Sequence, residues 1–281
     1  MSSPSTALEA NWLTACRSTV GGMRTMLEEH PTTGDRAVET GRGEGGDEAL
    51  VIDRAAEELV FAQLDELHAR GHRFSAVSEE RGVVDYGDAR VRVVIDPIDG
   101  SMNAKRGLGH HALSVAVADG PTMADVEFAY VYDFGSREEW TARRGQGCLL
   151  NGGPLRGLPK ERRSADGLLE LVAIESADPR HVAAAASALR AVAHRLRALG
   201  SIAISLCQVA DARVDGMVTL WRCRAVDAAA GQLIVRESGG VVAFTGFADP
   251  LGAPLDLEPH SAVVAARSQR ALTQLSQVPV P

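Results

Sequence analysis

The side chains best suited to chemistry in this sequence are gathered in Asp96-Pro97-Ile98-Asp99-Gly100-Ser101-Met102-Asn103. Two carboxylates three positions apart repel one another unless positive charge lies between them, and a divalent cation is the economical source of it. The apolar run Val91-Arg92-Val93-Val94-Ile95 just before them reads as a buried strand. The acids therefore stand at a strand's C-terminal end, where α/β proteins gather their chemistry. A helix is expected to begin near Gly100 and Ser101, and its free N–H groups and dipole would hold a phosphate or carboxylate oxygen. Adjacent metal and anion sites suit metal-assisted hydrolysis of a phosphate ester. Read alone, Asp96 to Gly100 is equally an ordinary surface turn, since each residue type in it favours turns. An EF-hand is excluded, because the twelfth position from Asp96 is Gly107 and not glutamate.

Further acids shift the balance toward a site. Ser78-Glu79-Glu80-Arg81 follows the short apolar stretch Phe74 to Val77, so Glu79 also lies at a strand end. Asp227 opens a strongly apolar helix, and Asp47 precedes another. Each of these two is, by itself, explained as a helix cap.

The elements that must position these residues follow from periodicity. Amphipathic helices are expected at 6–29, with Leu8, Trp12, Ala15, Val20, Met23 and Leu27 in register, and at 52–70. Residues 31–48, rich in Gly, Thr and Asp, read as a mobile loop. Strands are expected at 74–78, 91–95, 112–118, 126–132 and 138–142, forming a sheet against the two helices. Beyond about residue 155 strands (168–174, 190–198, 214–220, 240–245, 262–265) alternate with helices (179–188, 201–212, 227–238, 267–276). The polar stretch Lys160 to Gly167 marks the change. The expected organisation is α/β: an α+β N-terminal domain, residues 1–158, carrying most metal ligands, and an α/β C-terminal domain, residues 159–281, completing the site.

Composition narrows the function classes. The 281 residues are 45% hydrophobic and 23% charged, with a net charge of −8. Scattered arginines and an aromatic content of 4% do not make a nucleic-acid surface. The four cysteines, Cys16, Cys148, Cys207 and Cys223, are far apart and show no Cys-x-x-Cys spacing, which suits a reduced, cytoplasmic setting. The N-terminus lacks the pattern of a signal peptide. No apolar stretch approaches the roughly 20 residues that span a membrane.

Val94 to Asn103 resembles the signature of the inositol monophosphatase family of metal-dependent phosphatases, and Asp227 to Gly240 resembles its second signature. Ser78-Glu79-Glu80 is similar to the family's glutamate motif, and Gly46-Asp47 with Ile52 to Glu57 to the segment upstream. The likeness covers about residues 8 to 270, and Asn103-Ala104 with Gly107 resembles members close to the archaeal inositol/fructose-bisphosphate phosphatases. It implies a layered αβαβα sandwich and hydrolysis of an inositol monophosphate-like polyol or sugar phosphate by metal-activated water. Glu79, Asp96 and the carbonyl of Ile98 would hold one Mg2+; Asp96, Asp99 and Asp227 a second, with a third, weaker ion near Glu79 and Mn2+ as a substitute. Ser101 with Asp47 would orient the water, and the amides of Gly100 and Ser101 would hold the phosphate. Asn103, Ser201, Arg222 and Arg224 are the candidate substrate contacts. The expected partner is a small phosphorylated metabolite, with no nucleic acid and no membrane, in a homodimer.

The sequence departs from the family pattern mainly where specificity is set. Ser101 replaces the usual threonine, Leu50 replaces an upstream threonine, and Val226 replaces tryptophan. The acid that grips inositol hydroxyls has no counterpart around Thr219-Leu220, where the chain offers Trp221, Arg222 and Arg224. These arginines are read either as forks for a second anionic group or as surface or dimer-interface residues. The three tryptophans are read as core or interface, and His110 and His111 as lining the substrate mouth. Alternative activities are hydrolysis of fructose 1,6-bisphosphate, histidinol phosphate or adenosine 3′,5′-bisphosphate, or a largely non-catalytic regulatory role.

Overall fold

The computed structural model describes residues 7–37, 39–42 and 48–280, with the backbone path alone at 39–42 and 48–50. The outermost layer pairs α1 (Trp12–Glu29) with α3 (Val51–Ala69). Asn11 starts α1 by accepting the Thr14 N–H at 3.2 Å. Buried Trp12, Ala15, Cys16, Val20, Met23 and Leu27 recur at helical spacing and share a core with Ile52, Ala56, Val60 and Leu64 of α3. Between the two helices run the short α2 (Thr33–Arg36) and the antiparallel pair β1 (Glu39–Arg42) and β2 (Glu48–Leu50). Thr32 and Asp35 close a reciprocal capping box on α2. The segment expected as one long loop therefore carries regular structure over much of its described part.

Helices α1 and α3 cover one face of an eight-stranded sheet. Its strands are β3 (Ser75–Ser78), β4 (Gly82–Asp85), β5 (Val91–Asp99), β6 (Ala112–Asp119), β7 (Val126–Asp133), β8 (Glu138–Arg143), β9 (Gly147–Leu150) and β10 (Gly153–Pro154), in the order β10-β9-β8-β7-β6-β5-β3-β4. In β5 the side chains alternate, Val91, Val93 and Ile95 facing the α1/α3 core and Val94 facing the next layer. A short α4 (Ser101–Arg106) follows β5.

That next layer is α6 (Ile202–Ala210) with α7 (Ala225–Glu237). Every residue of α7 from Ala225 to Val235 is buried, as expected for a helix covered on both sides. Its Gly231 allows close approach, since a Cβ there would lie 2.6 Å from Leu206 Cδ1 of α6. Beyond lies a five-stranded sheet of β11 (Leu169–Glu175), β12 (Ala193–Arg197), β13 (Gly216–Thr219), β14 (Val241–Phe244) and β15 (Val263–Ala266), ordered β12-β11-β13-β15-β14. Helices α5 (Pro179–Val192) and α8 (Gln269–Leu275) close its far face through Val172, Ile174, Val218 and Val264. The result is the αβαβα sandwich that the sequence resemblance implies.

Several elements differ from expectation, the first helix beginning at Trp12 and not at residue 6. Helix α5 runs on to Val192, so the strand read at 190–198 is confined to 193–197. The alanine-rich 183–188 stretch has high helix propensity, and nothing breaks it before the sheet. Strands β4 and β9 were not expected; at four residues each, with part of their side chains exposed, they carry little periodic signal.

Candidate active site

Four carboxylates from three segments gather at the C-terminal end of β5. Pro97 has no N–H for the sheet, and the β5–β6 register shifts between Asp96 and Asp99. The Ile98 N–H turns back to Asp96 Oδ1 at 3.0 Å. Both acids are thereby aimed out of the strand end, yet Asp96 is 3% and Asp99 7% exposed. The Ser201 hydroxyl and the Ala203 N–H each donate to Asp99 Oδ2 at 2.6 Å. Gly100 then turns with φ of +89°, and a Cβ there would meet the carbonyl oxygens of His110 and Gly200 at 2.8 and 2.9 Å. Glycine is required at this position, and it directs the chain into α4.

Glu79 arrives in the turn after β3. Buried Glu57 of α3 fixes that turn, accepting from Ser78 Oγ at 2.5 Å and from the Arg81 N–H at 3.1 Å. Asp227 arrives on the first turn of α7, where it accepts the Arg224 N–H at 2.7 Å. It is thus the third residue of a capping box and not the N-cap itself. The Arg224 guanidinium lies 2.8 Å from Glu79 and 3.4 Å from Asp227. Arg224 belongs to the acid cluster and lines the cavity beside it, and is not an exposed surface group.

The electrostatics follow from burial. Asp96 is held well above the usual carboxylate range by burial first, and then by Glu79, Asp99 and Asp227. Burial, followed by Asp227, pushes Asp99 up to about 7. Glu80 is raised to about 7 by burial and then by Glu79. These upward shifts reflect burial first, and then negative charge that Arg224 only partly offsets. As the side chains are placed, no three described His, Cys, Asp or Glu residues form a closed cage for an ion. The donors are nonetheless all oxygen, buried or half-buried, and mutually repelling, which fits a hard divalent cation.

A cavity of about 940 Å³ opens beside the cluster, with Asp99 and Asp227 at its edge. Asn103 lines it and is fixed by Nδ2 bonds to the carbonyls of His110 and Leu199 at 2.9 and 2.7 Å. Ser201 is 1% exposed; besides donating to Asp99, its hydroxyl accepts the Ile204 N–H. Arg222 lines the cavity, with its guanidinium carbon 5.8 Å from the centre of the Trp221 ring. Ser101 is exposed at the start of α4, and Asp47 lies outside the described residues.

Two expectations need correction. Trp12 and Trp140 are core, but Trp221 is 39% exposed and lines the cavity. His111 is 7% exposed and stacked on Phe134, which removes it from any substrate mouth; His110 lies 3.6 Å from buried Asp133. Sequence reasoning passed over Glu175 and His181 altogether. Glu175 is 2% exposed and accepts the Leu199 and Gly200 N–H groups, each at 3.0 Å, and the Ser205 hydroxyl at 2.6 Å. A lone acid ending an apolar strand at Ile174-Glu175 was the available signal.

The description "Inositol monophosphatase family" belongs to a family model that matches residues 11–278. The chain belongs to the inositol monophosphatase family. The Nus factor SuhB of Escherichia coli K12 is 35% identical over 214 residues, covering 75% of this chain and 77% of that protein. The Vibrio cholerae Nus factor SuhB is 32% identical, covering 68% and 69%. Among solved structures, an inositol monophosphatase–fructose 1,6-bisphosphatase superposes with a TM-score of 0.80 at 23% identity, over 96% of this chain and all of the other. The SuhB extragenic suppressor of Bartonella henselae gives 0.77 at 22%, over 96% and 98%. These two likenesses carry the fold.

Proposed function

We propose that this chain hydrolyses a small phosphate monoester with the help of magnesium, water being the nucleophile. The observation that carries this reading is the convergence of Glu79, Asp96, Asp99 and Asp227 beside the Gly100–Ser101 turn, with burial raising Asp96 and Asp99. Glu79, Asp96, Asp99, Asp227 and the Ile98 carbonyl would hold Mg2+, with Mn2+ as a substitute. The ion, when bound, neutralises phosphoryl oxygens and makes water more acidic.

The chain's own groups do the rest. The Gly100 and Ser101 amides hold phosphate oxygens at the start of α4. The Ser101 hydroxyl, acting with Asp47, accepts a hydrogen bond from the attacking water and aligns it with phosphorus. Ser201 locks the Asp99 carboxylate in place, and Glu57 locks the turn bearing Glu79. Asn103 and Arg222 face the alcohol half of the substrate. A homodimer in a reducing, cytoplasmic setting belongs to the same reading. Among the described residues no helix is long and apolar enough to cross a membrane.

Phosphate release from a panel of monoesters, with Mg2+ and with chelator, tests this reading. Release that requires Mg2+ is expected. A second reading is favoured by the name of the 35%-identical relative, Nus factor SuhB: the chain works in that capacity without turnover. It predicts no release from any ester.

A further inference from the structure

Trp221 is out of place for a residue of its size. A large aromatic side chain is normally buried, yet this one is 39% exposed while Leu220 before it is fully buried. Its position is fixed on both sides. The Leu220 N–H donates to the Glu175 carbonyl at 2.8 Å, and the Cys223 N–H to the Ser261 carbonyl at 2.9 Å. The ring is backed by His181, with 4.9 Å between ring centres and 6° between their planes. His181 sits on the first turn of α5, and its Nδ1 lies 3.4 Å from the Ser176 carbonyl oxygen. A flat, rigid and partly exposed surface thus lines the same cavity as Asp99 and Asp227.

The surroundings say what that surface would take. The cavity, about 940 Å³, is near the upper end of the ~300–1,000 Å³ range of small-molecule sites, more than one phosphorylated six-membered polyol requires. A polyol needs acceptors for its hydroxyls, and the acids on this wall are already engaged. Both Glu175 oxygens hold the 199–200 backbone, and Asp178 is held by two bonds from the Arg180 side chain. Met102, Ile202, Leu257 and Pro259 make much of the remaining wall apolar. Arg222 adds a cation near the Trp221 ring. Stacking and apolar contact dominate here, and they suit a planar ring.

We infer that Trp221, backed by His181, is a stacking platform for the alcohol half of the substrate, which carries a planar heteroaromatic ring. The inference rests on the phosphatase reading and narrows its substrate class. Adenosine 5′-monophosphate and histidinol phosphate present two sources of such a ring; inositol 1-phosphate and glycerol 2-phosphate lack one. With Mg2+, kcat/KM is expected to favour at least one ring ester over both ring-free esters. Trp221→Ala should raise KM for that ester by about tenfold, within the range of single ring-stacking contacts. It should change kcat little and shift KM far less for the ring-free esters. Trp221→Phe should recover most of the loss. Because Trp12 and Trp140 are buried, the iodide-quenchable fluorescence belongs to Trp221, and the ring ester should protect it.

Preference for ring-free esters, or equal losses on all esters in Trp221→Ala, overturns the platform while leaving the phosphatase reading intact. Protection of Trp221 fluorescence by a ring ester without any turnover sinks the phosphatase reading and supports the platform. Neither turnover nor protection overturns both.

Discussion

The floor and the wall of this site are built in opposite ways. The floor acids Asp96 and Asp99 share one strand end, and the bulge at Pro97 aims both. Glu79 and Asp227 join them from the turn after β3 and the first turn of α7, each beside an apolar run. The wall has no such local frame. Glu175 and His181 stand six residues apart across the β11–α5 link, and Trp221, forty residues further on, meets them because β11 and β13 run parallel, with Glu175 opposite Thr219. On the proposed reading the floor carries the chemistry, and metal binding there needs oxygen donors. The wall is set by the topology of the second sheet, where residue types can vary while the fold stays the same. On the proposed reading, reaction and specificity would fall on separate parts of the molecule.

Removing a floor acid should have the largest effect. Asp227→Asn keeps an oxygen able to accept the Arg224 N–H, so α7 should still start correctly. Its kcat should nonetheless fall on the order of a thousandfold, with an unchanged circular dichroism spectrum. A loss under tenfold would detach α7 from the floor and break the comparison.

The wall should respond in stability before chemistry. Glu175→Ala leaves the Leu199 and Gly200 N–H groups without their acceptor, at a cost of about 2–3 kcal/mol of unfolding free energy. Urea denaturation measures this, and Glu175→Gln should recover part of it. An unaltered midpoint in Glu175→Ala would remove Glu175 as the brace of the wall.

The smallest effect concerns pH in chelator. Asp99 has an ordinary value of 3.8 and is raised to about 7 by burial and then by Asp227. A carboxyl raised on folding contributes stability below its unfolded value and loses it as pH rises through the folded one. Metal-free protein should therefore show Tm falling by a few degrees between pH 5 and 8, and Mg2+ should flatten that slope. The same slope with and without Mg2+ would mean that the floor is not where the ion binds.

Much of this was legible from the chain. The β5 strand, its two acids, and the apolar helices α6 and α7 follow from periodicity and turn chemistry, and the layered fold from the family resemblance. The placements of Trp221 and Arg224 were not legible. Exposure of a tryptophan depends on what the other strand ends leave uncovered, and no local pattern encodes that. In sequence Arg224 reads as an anion fork or as a surface or interface cation, and its pairing with Glu79 appears only once the start of α7 is set beside the turn after β3. His111 misled because a histidine beside a glycine-rich turn looks solvent-facing, whereas stacking on Phe134 buries it.

The most direct test of the central claim is phosphate release by the wild-type chain and by Asp96→Asn, each with Mg2+ and with chelator. The account predicts release by the wild type in Mg2+ alone, and none by the variant in either buffer. Equal release in chelator, or full activity in Asp96→Asn, would contradict it.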